Sequence, residues 1–270
     1  MTDGAAGADR PPLTRRRVLA AAGAWVVGAA GAGWGVASAG RAVVALTFDD
    51  GPDPDYTPAV LDALARFAVP ATFFAVGANV GAHPSLARRI ASEGHTLGNH
   101  TFHHRRLDSL DPDQVAAELD GTADALVQAG VAPGGLFRAP YGVTTAVVDG
   151  AVRSRGYRLV GWDACLERCL RGVGPQEGVG RLLAGIRPGA VILAHDGGRL
   201  RSPHEPTIRR DASVEALPLF LEALARRGWK VGDLAAVSGE MDRVGQTGTE
   251  WAASPDGRLR GGRNGTAATG

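Results

Sequence analysis

Short apolar runs without strict polar alternation recur along the chain, separated by stretches with apolar residues at helical spacing. The runs at 43–48, 71–76, 95–98, 134–137, 157–161, 190–194 and 229–231 read as strands. Between them, 56–67 places Val60, Leu61, Leu64 and Phe67 at helical intervals. The segments 84–93, 112–128, 146–155, 178–186 and 214–227 read as further helices. Asp111 can cap the helix at 112–128, Pro112 suits its first turn, and Gly228 stops the last helix. Strands of this kind alternating with helices predict a parallel sheet covered on both faces.

The polar residues that interrupt this pattern cluster at the C-terminal ends of the strands, where the active sites of α/β barrels lie. Asp49 and Asp50 end the first run, and Gly51-Pro52 then breaks the strand. Neighbouring strand residues point to opposite faces, so a loop is needed to aim both carboxylates at one site. His100 and His104 follow the third run and share a face if their segment is helical. One Asp and two His make a sound ligand set for a catalytic divalent metal, because coordination positions stay open for water and substrate. The second Asp is then placed to act as a base, which points to metal-assisted hydrolysis. Taken singly, an Asp pair before Gly-Pro is more often a solvated turn, and an H-x-x-x-H pair is more often no ligand pair at all. Three more segments alter that weighing: Arg138-Ala139-Pro140-Tyr141, Val160-Gly161-Trp162-Asp163 and Leu193-Ala194-His195-Asp196.

With these residues in view, the chain resembles the polysaccharide deacetylases of carbohydrate esterase family 4, the NodB-like domain. That family carries five ordered motifs: T-F-D-D-G-P, H-[ST]-x-x-H, R-x-P-Y, D-x-x-D-W and L-x-H. Here the first stands complete at 47–52, the second at 100–104, the third at 138–141 and the fifth at 193–195, and the resemblance covers 43–236. It implies an α/β fold, an irregular (β/α)7 barrel forming a single catalytic domain. It also implies Asp50, His100 and His104 as metal ligands, with Zn²⁺ the default and Co²⁺ or Ni²⁺ compatible with the same donors. Asp49 is implied as the base, His195 as the acid that protonates the leaving amine, and Arg138 as the group that holds and tunes Asp49. The backbone N–H of Tyr141, after Pro140, is implied in the oxyanion site, and Leu193 and Trp162 in lining the acetyl pocket. His83, His95, His103 and His204 are expected to be bystanders. The fourth motif departs, since Cys165-Leu166-Glu167-Arg168-Cys169 stands where D-x-x-D-W is expected. The carboxylate partner expected for the third-motif Arg is replaced by Arg168. Glu167 and Asp163 are left as its possible substitutes, and the rate and pH optimum depend on which serves.

The implied reaction is metal-dependent removal of N-acetyl groups from an N-acetylglucosamine polymer or oligomer, peptidoglycan or chitin-like. The alternatives are an O-acetyl esterase on xylan or another glycan, or a weakly active or non-catalytic glycan-binding relative that the altered fourth motif would permit. The 270 residues suit one barrel with short tails. With 29 basic and 28 acidic residues the net charge is +1, which argues against a nucleic-acid binder. The N-terminus holds Arg15-Arg16-Arg17 before a mild Ala/Gly-rich apolar stretch and Ala37-Ser38-Ala39. This pattern reads as a Tat-type signal at 1–39 handled by the Tat export machinery. A catalytic domain at 40–238 is then expected outside the cytoplasm, exported to the extracellular space or cell envelope, and anchored if cleavage fails. The segment 239–270 is expected to be a disordered tail, and the protein a monomer acting on an acetylated glycan. Cys165 and Cys169 are the only cysteines. In an exported protein they are read as a disulfide on a loop, with two buried thiols as the alternative.

Overall fold

The computed structural model describes residues 42–198 and 208–237. The expected signal at 1–39, the expected tail at 239–270 and His204 lie outside the described residues. The strands are β1 (Val43–Asp49), β2 (Thr72–Ala75), β3 (Thr96–Asn99), β4 (Leu136–Phe137), β5 (Arg158–Leu159), β6 (Ala164–Cys165), β7 (Val191–His195) and β8 (Lys230–Gly232). The helices are α1 (Thr57–Phe67), α2 (Gly77–Ala82), α3 (Pro84–Ser92), α4 (Pro112–Gln128), α5 (Ala146–Ser154), α6 (Leu166–Cys169), α7 (Pro175–Gly185), α8 (Asp211–Arg226) and α9 (Leu234–Val237).

All strand pairs are parallel, and the order is β5-β4-β3-β2-β1-β7-β6, with β8 also paired to β1. Among the described residues no ladder joins β5 to β6. The parallel sheet is the one the alternation of runs predicts, and its irregular, incompletely closed barrel is the form the family resemblance implies. β1 lies at its centre: Val44 to Phe48 are all buried, and the one polar side chain among them, Thr47, donates its hydroxyl to the Ile192 carbonyl at 2.8 Å. It pairs with β7 from Ala45↔Val191 to Asp49↔His195, and with β2 from Thr47↔Thr72 to Asp49↔Phe74. That register puts Asp49 and His195 side by side at the C-terminal rim.

The helices cover the sheet with their apolar faces. Val60, Leu61 and Leu64 of α1, Val115 and Leu119 of α4, and Leu217, Phe220 and Leu224 of α8 are all buried. Phe48 and Phe73 stack at 5.0 Å across β1 and β2. Asp111 forms the expected cap, and Gln114 completes a capping box with it. Four short elements escape the sequence pattern: α2, β6, α6 and α9. α2 has a single turn's worth of small residues, and β6, α6 and α9 are too short for any period to show.

Candidate active site

Asp49 closes β1 in regular strand geometry, whereas Asp50 turns into the left-handed region at φ 77°. This one dihedral gives both carboxylates a common target, which a regular strand forbids. His100 Nε2 lies 3.7 Å from Asp49 Oδ2 and 3.6 Å from Asp50 Oδ1. The turn is packed tightly enough to require glycine at 51, where a Cβ would sit 2.2 Å from Asp196 Oδ2. Asp196 is buried there, takes a 2.6 Å hydrogen bond from the Thr57 hydroxyl, and donates its backbone N–H to the Asp49 carbonyl at 3.1 Å.

The histidines share the site, but not through a helix. Residues 100–104 form a loop after β3, with Thr101 at φ 68° and His104 at φ 58°. Local side chains fold it: Asn99 Oδ1 accepts from Thr101 N–H at 2.9 Å, and Thr101 Oγ1 accepts from His104 N–H at 3.1 Å. Glu118 of α4 takes the His103 N–H at 2.8 Å and contacts its Nδ1 at 2.9 Å. His103 thus turns toward α4 and stands outside the cluster, 59% of its side chain exposed. His95 lies against the Phe73 ring and His83 joins α2 to α3, so neither enters the site. His100 Nδ1–H donates to the Arg138 carbonyl at 2.8 Å, which leaves the Nε2 lone pair facing the carboxylates.

These groups fit a divalent cation. Asp50, His100 and His104 each offer a donor atom within 4.8 Å of the others, all from buried side chains. Asp50 Oδ1 is 3.2 Å from His104 Nε2 and 3.6 Å from His100 Nε2. Donors at about 2.0–2.1 Å around a tetrahedral ion stand roughly 3.3 Å apart. Burial opposes ionisation of Asp50, but His100 and His104 outweigh it and hold the carboxyl well below the usual carboxylate range. For His100, burial favours the neutral ring, but Asp49 and Asp50 prevail and raise its pKa.

Arg138 lies fully buried behind Asp49. Its NH1 donates to Asp49 Oδ1 at 2.7 Å and to Thr47 Oγ1 at 2.9 Å, and its Nε and NH2 donate to the carbonyls of Val160 and Gly161. The guanidinium stacks 4.1 Å over the Phe74 ring and 5.5 Å from that of Trp162. Asp49 is therefore its carboxylate partner, and neither proposed substitute, Glu167 nor Asp163, takes that place. Asp163 accepts from Val191 N–H at 2.8 Å and lies 3.6 Å from Arg187. Glu167 instead serves His195: Oε2 is 3.0 Å from Nδ1, and Oε1 accepts the His195 N–H at 3.0 Å. The altered fourth motif places its carboxylate on the histidine side of the site, because β6 pairs with β7 and α6 starts directly after it. Burial lowers the His195 pKa, but Glu167 outweighs it and pushes the value up to about 9. The same pairing overcomes burial of Glu167 and brings it down to about 2. The expected disulfide is not formed. Cys165 and Cys169 are free thiols, with Cys165 Sγ donating to Glu167 Oε2 at 3.4 Å. Burial, with Glu167 alongside, pushes the Cys165 thiol up to about 12.

Pro140 and Tyr141 sit in a 3₁₀ turn at Pro140–Gly142, where Tyr141 takes φ 60°. Its ring is 49% exposed and meets the His104 ring at 4.8 Å. Leu193 is buried on β7 in register with Thr47, and Trp162 is half-buried on the other side of Arg138. Two residues of the site carry no signal in the sequence. Asn79 of α2 donates Nδ2–H to the Asp50 carbonyl at 2.7 Å, and buried Arg210, just before α8, reaches the Asp50 carboxylate at 2.9 Å. Arg210 stands beside the exposed Arg209 in a polar stretch, and no local pattern separates the two.

The fold and this constellation agree with comparisons to known proteins. The polysaccharide deacetylase family model matches residues 37–160. A chitooligosaccharide deacetylase from Bradyrhizobium is 41% identical over 201 residues, 72% of this chain and 90% of that protein. A peptidoglycan-N-acetylglucosamine deacetylase from Bacillus cereus is 33% identical over 190 residues, 70% of this chain and 84% of that one. Among solved structures, the family 4 carbohydrate esterase from Streptomyces lividans in complex with acetate superposes with a TM-score of 0.64 at 29% identity. That match covers 73% of this chain and 95% of the other. The chain belongs to the polysaccharide deacetylase family.

Proposed function

We propose that the chain is a metal-dependent hydrolase that removes N-acetyl groups from an N-acetylglucosamine-containing glycan, chitin-like or peptidoglycan. The single observation that carries this reading is the placement of two acid–base groups, side by side at the ends of β1 and β7, on the same rim as the Asp50, His100 and His104 cluster. Asp49 is held by Arg138, and His195 is paired with Glu167. A divalent cation held by Asp50, His100 and His104, Zn²⁺ by default, supplies Lewis acidity that lowers the pKa of water and polarises an acetyl carbonyl.

The chain's own residues handle the protons. Asp49 has Oδ1 committed to Arg138, so Oδ2 is the oxygen that accepts the proton of the attacking water. His195, kept charged by Glu167, delivers a proton from Nε2 to the amide nitrogen as the C–N bond breaks. Acetic acid, carrying the second water proton, and a free amine leave, and return of the proton held by Asp49 to His195 through solvent restores both groups. The Tyr141 N–H, in the turn beside His104, is assigned to the carbonyl oxygen. Leu193 and Trp162 are assigned to the acetyl methyl group. The names and substrates of the relatives support the N-acetylglucosamine class. The pattern at 1–39 supports export through the Tat pathway to the cell envelope or beyond. Among the described residues no helix is long and apolar enough to cross a membrane.

Acetate release from chitooligosaccharides, peptidoglycan and acetylated xylan tests the proposal, each assayed after chelation and after return of Zn²⁺, Co²⁺ or Ni²⁺. Release from an N-acetylated glycan that chelation abolishes and metal restores is expected. Release that persists without metal, or from xylan alone, overturns it.

A further inference from the structure

We infer that Arg210 is a positioning residue for the cation site, holding Asp50 so that one oxygen alone is presented to the metal. The inference rests on the reading of Asp50, His100 and His104 as the cation ligands. Arg210 is separated from Asp50 by 160 positions in the chain, yet its guanidinium is buried against the Asp50 turn. NH2 donates to Asp50 Oδ2 at 2.9 Å, and Nε donates to the Gly197 carbonyl at 2.9 Å. The two bonds form a fork that fixes the guanidinium plane, which a lysine cannot reproduce.

The surroundings make that fork specific to one arrangement. Gly197 is pressed on Asp50 so closely that a Cβ there would lie 2.4 Å from the Asp50 carbonyl carbon and oxygen. Asn79 holds the same carbonyl from the other side at 2.7 Å. The Asp50 backbone is thus gripped by β7's following turn and by α2, which leaves rotation of the carboxylate as its remaining freedom. Arg210 removes that freedom by occupying Oδ2. Oδ1 is left facing His104 Nε2 at 3.2 Å and His100 Nε2 at 3.6 Å. Three ligands with one donor each leave positions open for water and substrate, whereas a carboxylate binding through both oxygens takes one of them.

The test uses full-length protein, stripped of metal, and measures Zn²⁺ affinity by competition with a fluorescent chelator for wild type, Arg210→Gln and Arg210→Lys. The Co²⁺-loaded proteins are compared by visible absorption, whose intensity falls as coordination number rises. Supporting-group loss typically weakens metal binding about 10–100-fold. That loss is expected for Arg210→Gln with a weaker Co²⁺ band, and a smaller loss is expected for Arg210→Lys, which keeps the charge without the fork. Melting of the metal-free proteins separates a purely structural anchor of α8: a lower melting temperature with unchanged Zn²⁺ affinity and Co²⁺ spectrum overturns the inference. Should Arg210→Gln fail to fold, Arg210→Lys decides by the same two measurements. If wild type itself binds no Zn²⁺, the cation-site reading fails, and the role of Arg210 falls with it.

Discussion

Replacing Glu167 by Gln separates the tuning of His195 from its mere placement. The two side chains meet at 3.0 Å with only 19% of each exposed, so screening is modest and the charge matters. With the carboxylate present, His195 stands at about 9. Without it, burial and Arg210 oppose the charged ring with only Asp50 favouring it, and the pKa returns toward its ordinary value of about 6.5. At pH 8 the protonated fraction then drops from about 90% to about 3%, a loss of roughly 30-fold in the acid form. At pH 6 both proteins keep most of their acid form, and the loss shrinks to about 1.3-fold. The assay is kcat/KM for acetate release from a chitooligosaccharide between pH 5 and 10 at saturating metal. The alkaline limb is expected to move down by about two and a half units. A uniform loss at every pH would refute the tuning argument, because a mispositioned acid costs the same throughout.

The same pair has a stability signature. The histidine's folded pKa is raised, so its contribution is complete below about 6.5 and is lost as pH rises through about 9. The glutamate's is depressed, so its contribution is complete above about 4.5 and is lost as pH falls through about 2. The melting-temperature gap between wild type and Glu167→Gln should therefore be widest between about pH 4.5 and 6.5 and close toward pH 9. The pair is one interaction, worth on the order of 3 kcal/mol and counted once.

Asp49→Asn should keep metal affinity while lowering kcat by about 10²–10⁴-fold, and it should cost up to about 3–5 kcal/mol by leaving Arg138 buried opposite a neutral group. Metal content and denaturant melts check both halves, and retained turnover would remove Asp49 as the base. Gly51→Ala forces a methyl onto the Asp196 carboxylate and should destabilise by about 1–3 kcal/mol; an effect within the error of a urea titration contradicts the packing argument. Asp196 itself is raised to about 7, first by burial and then by Asp50, Asp49 and Asp53. It therefore takes up a proton on folding and favours the folded state at low pH, a contribution lost as pH rises from about 4 to about 7. Asp196→Asn does not titrate, so its stability relative to wild type should improve across that window, and a parallel pH dependence for the two proteins rules the argument out.

The sequence carried the fold wherever elements were long enough to show a period. Val60, Leu61 and Leu64 mark α1, and the unbroken apolar run marks β1. α2, β6, α6 and α9 carry no visible pattern, because six, two, four and four residues hold no period. The site was legible where its residues sit beside strand-breaking punctuation, as Asp49 and Asp50 do before Gly51-Pro52. Three readings end differently in the structure; in the first, Cys165 and Cys169 stay free thiols where a disulfide is expected. A helix is the one route the i, i+4 spacing offers for bringing the histidine pair together, but Thr101 and His104 adopt positive φ, which side-chain identity alone does not announce. Glu167 was weighed as a partner for Arg138, but the β6–β7 register delivers it to His195. Arg210 could not be found at all, since its partner is fixed by where α8 begins relative to the Asp50 turn and not by any neighbour in the chain.

Asp49 and Asp50 show why such distant residues matter. They are adjacent, chemically identical and both buried, so nothing intrinsic gives one the proton and the other the cation. Their environments do. Arg138, delivered by the strand after α4, takes Oδ1 of Asp49, and Arg210, delivered by the start of α8, takes Oδ2 of Asp50. The two oxygens left over, Asp49 Oδ2 and Asp50 Oδ1, lie 3.7 and 3.6 Å from the same His100 nitrogen. Two positive charges offset two negative ones in a site where a single unpaired charge would cost several kcal/mol. On the roles proposed for them, the division of labour is a property of which oxygen each arginine removes. Exchanging either arginine for a neutral residue should leave both carboxylates in place and blur the distinction between them.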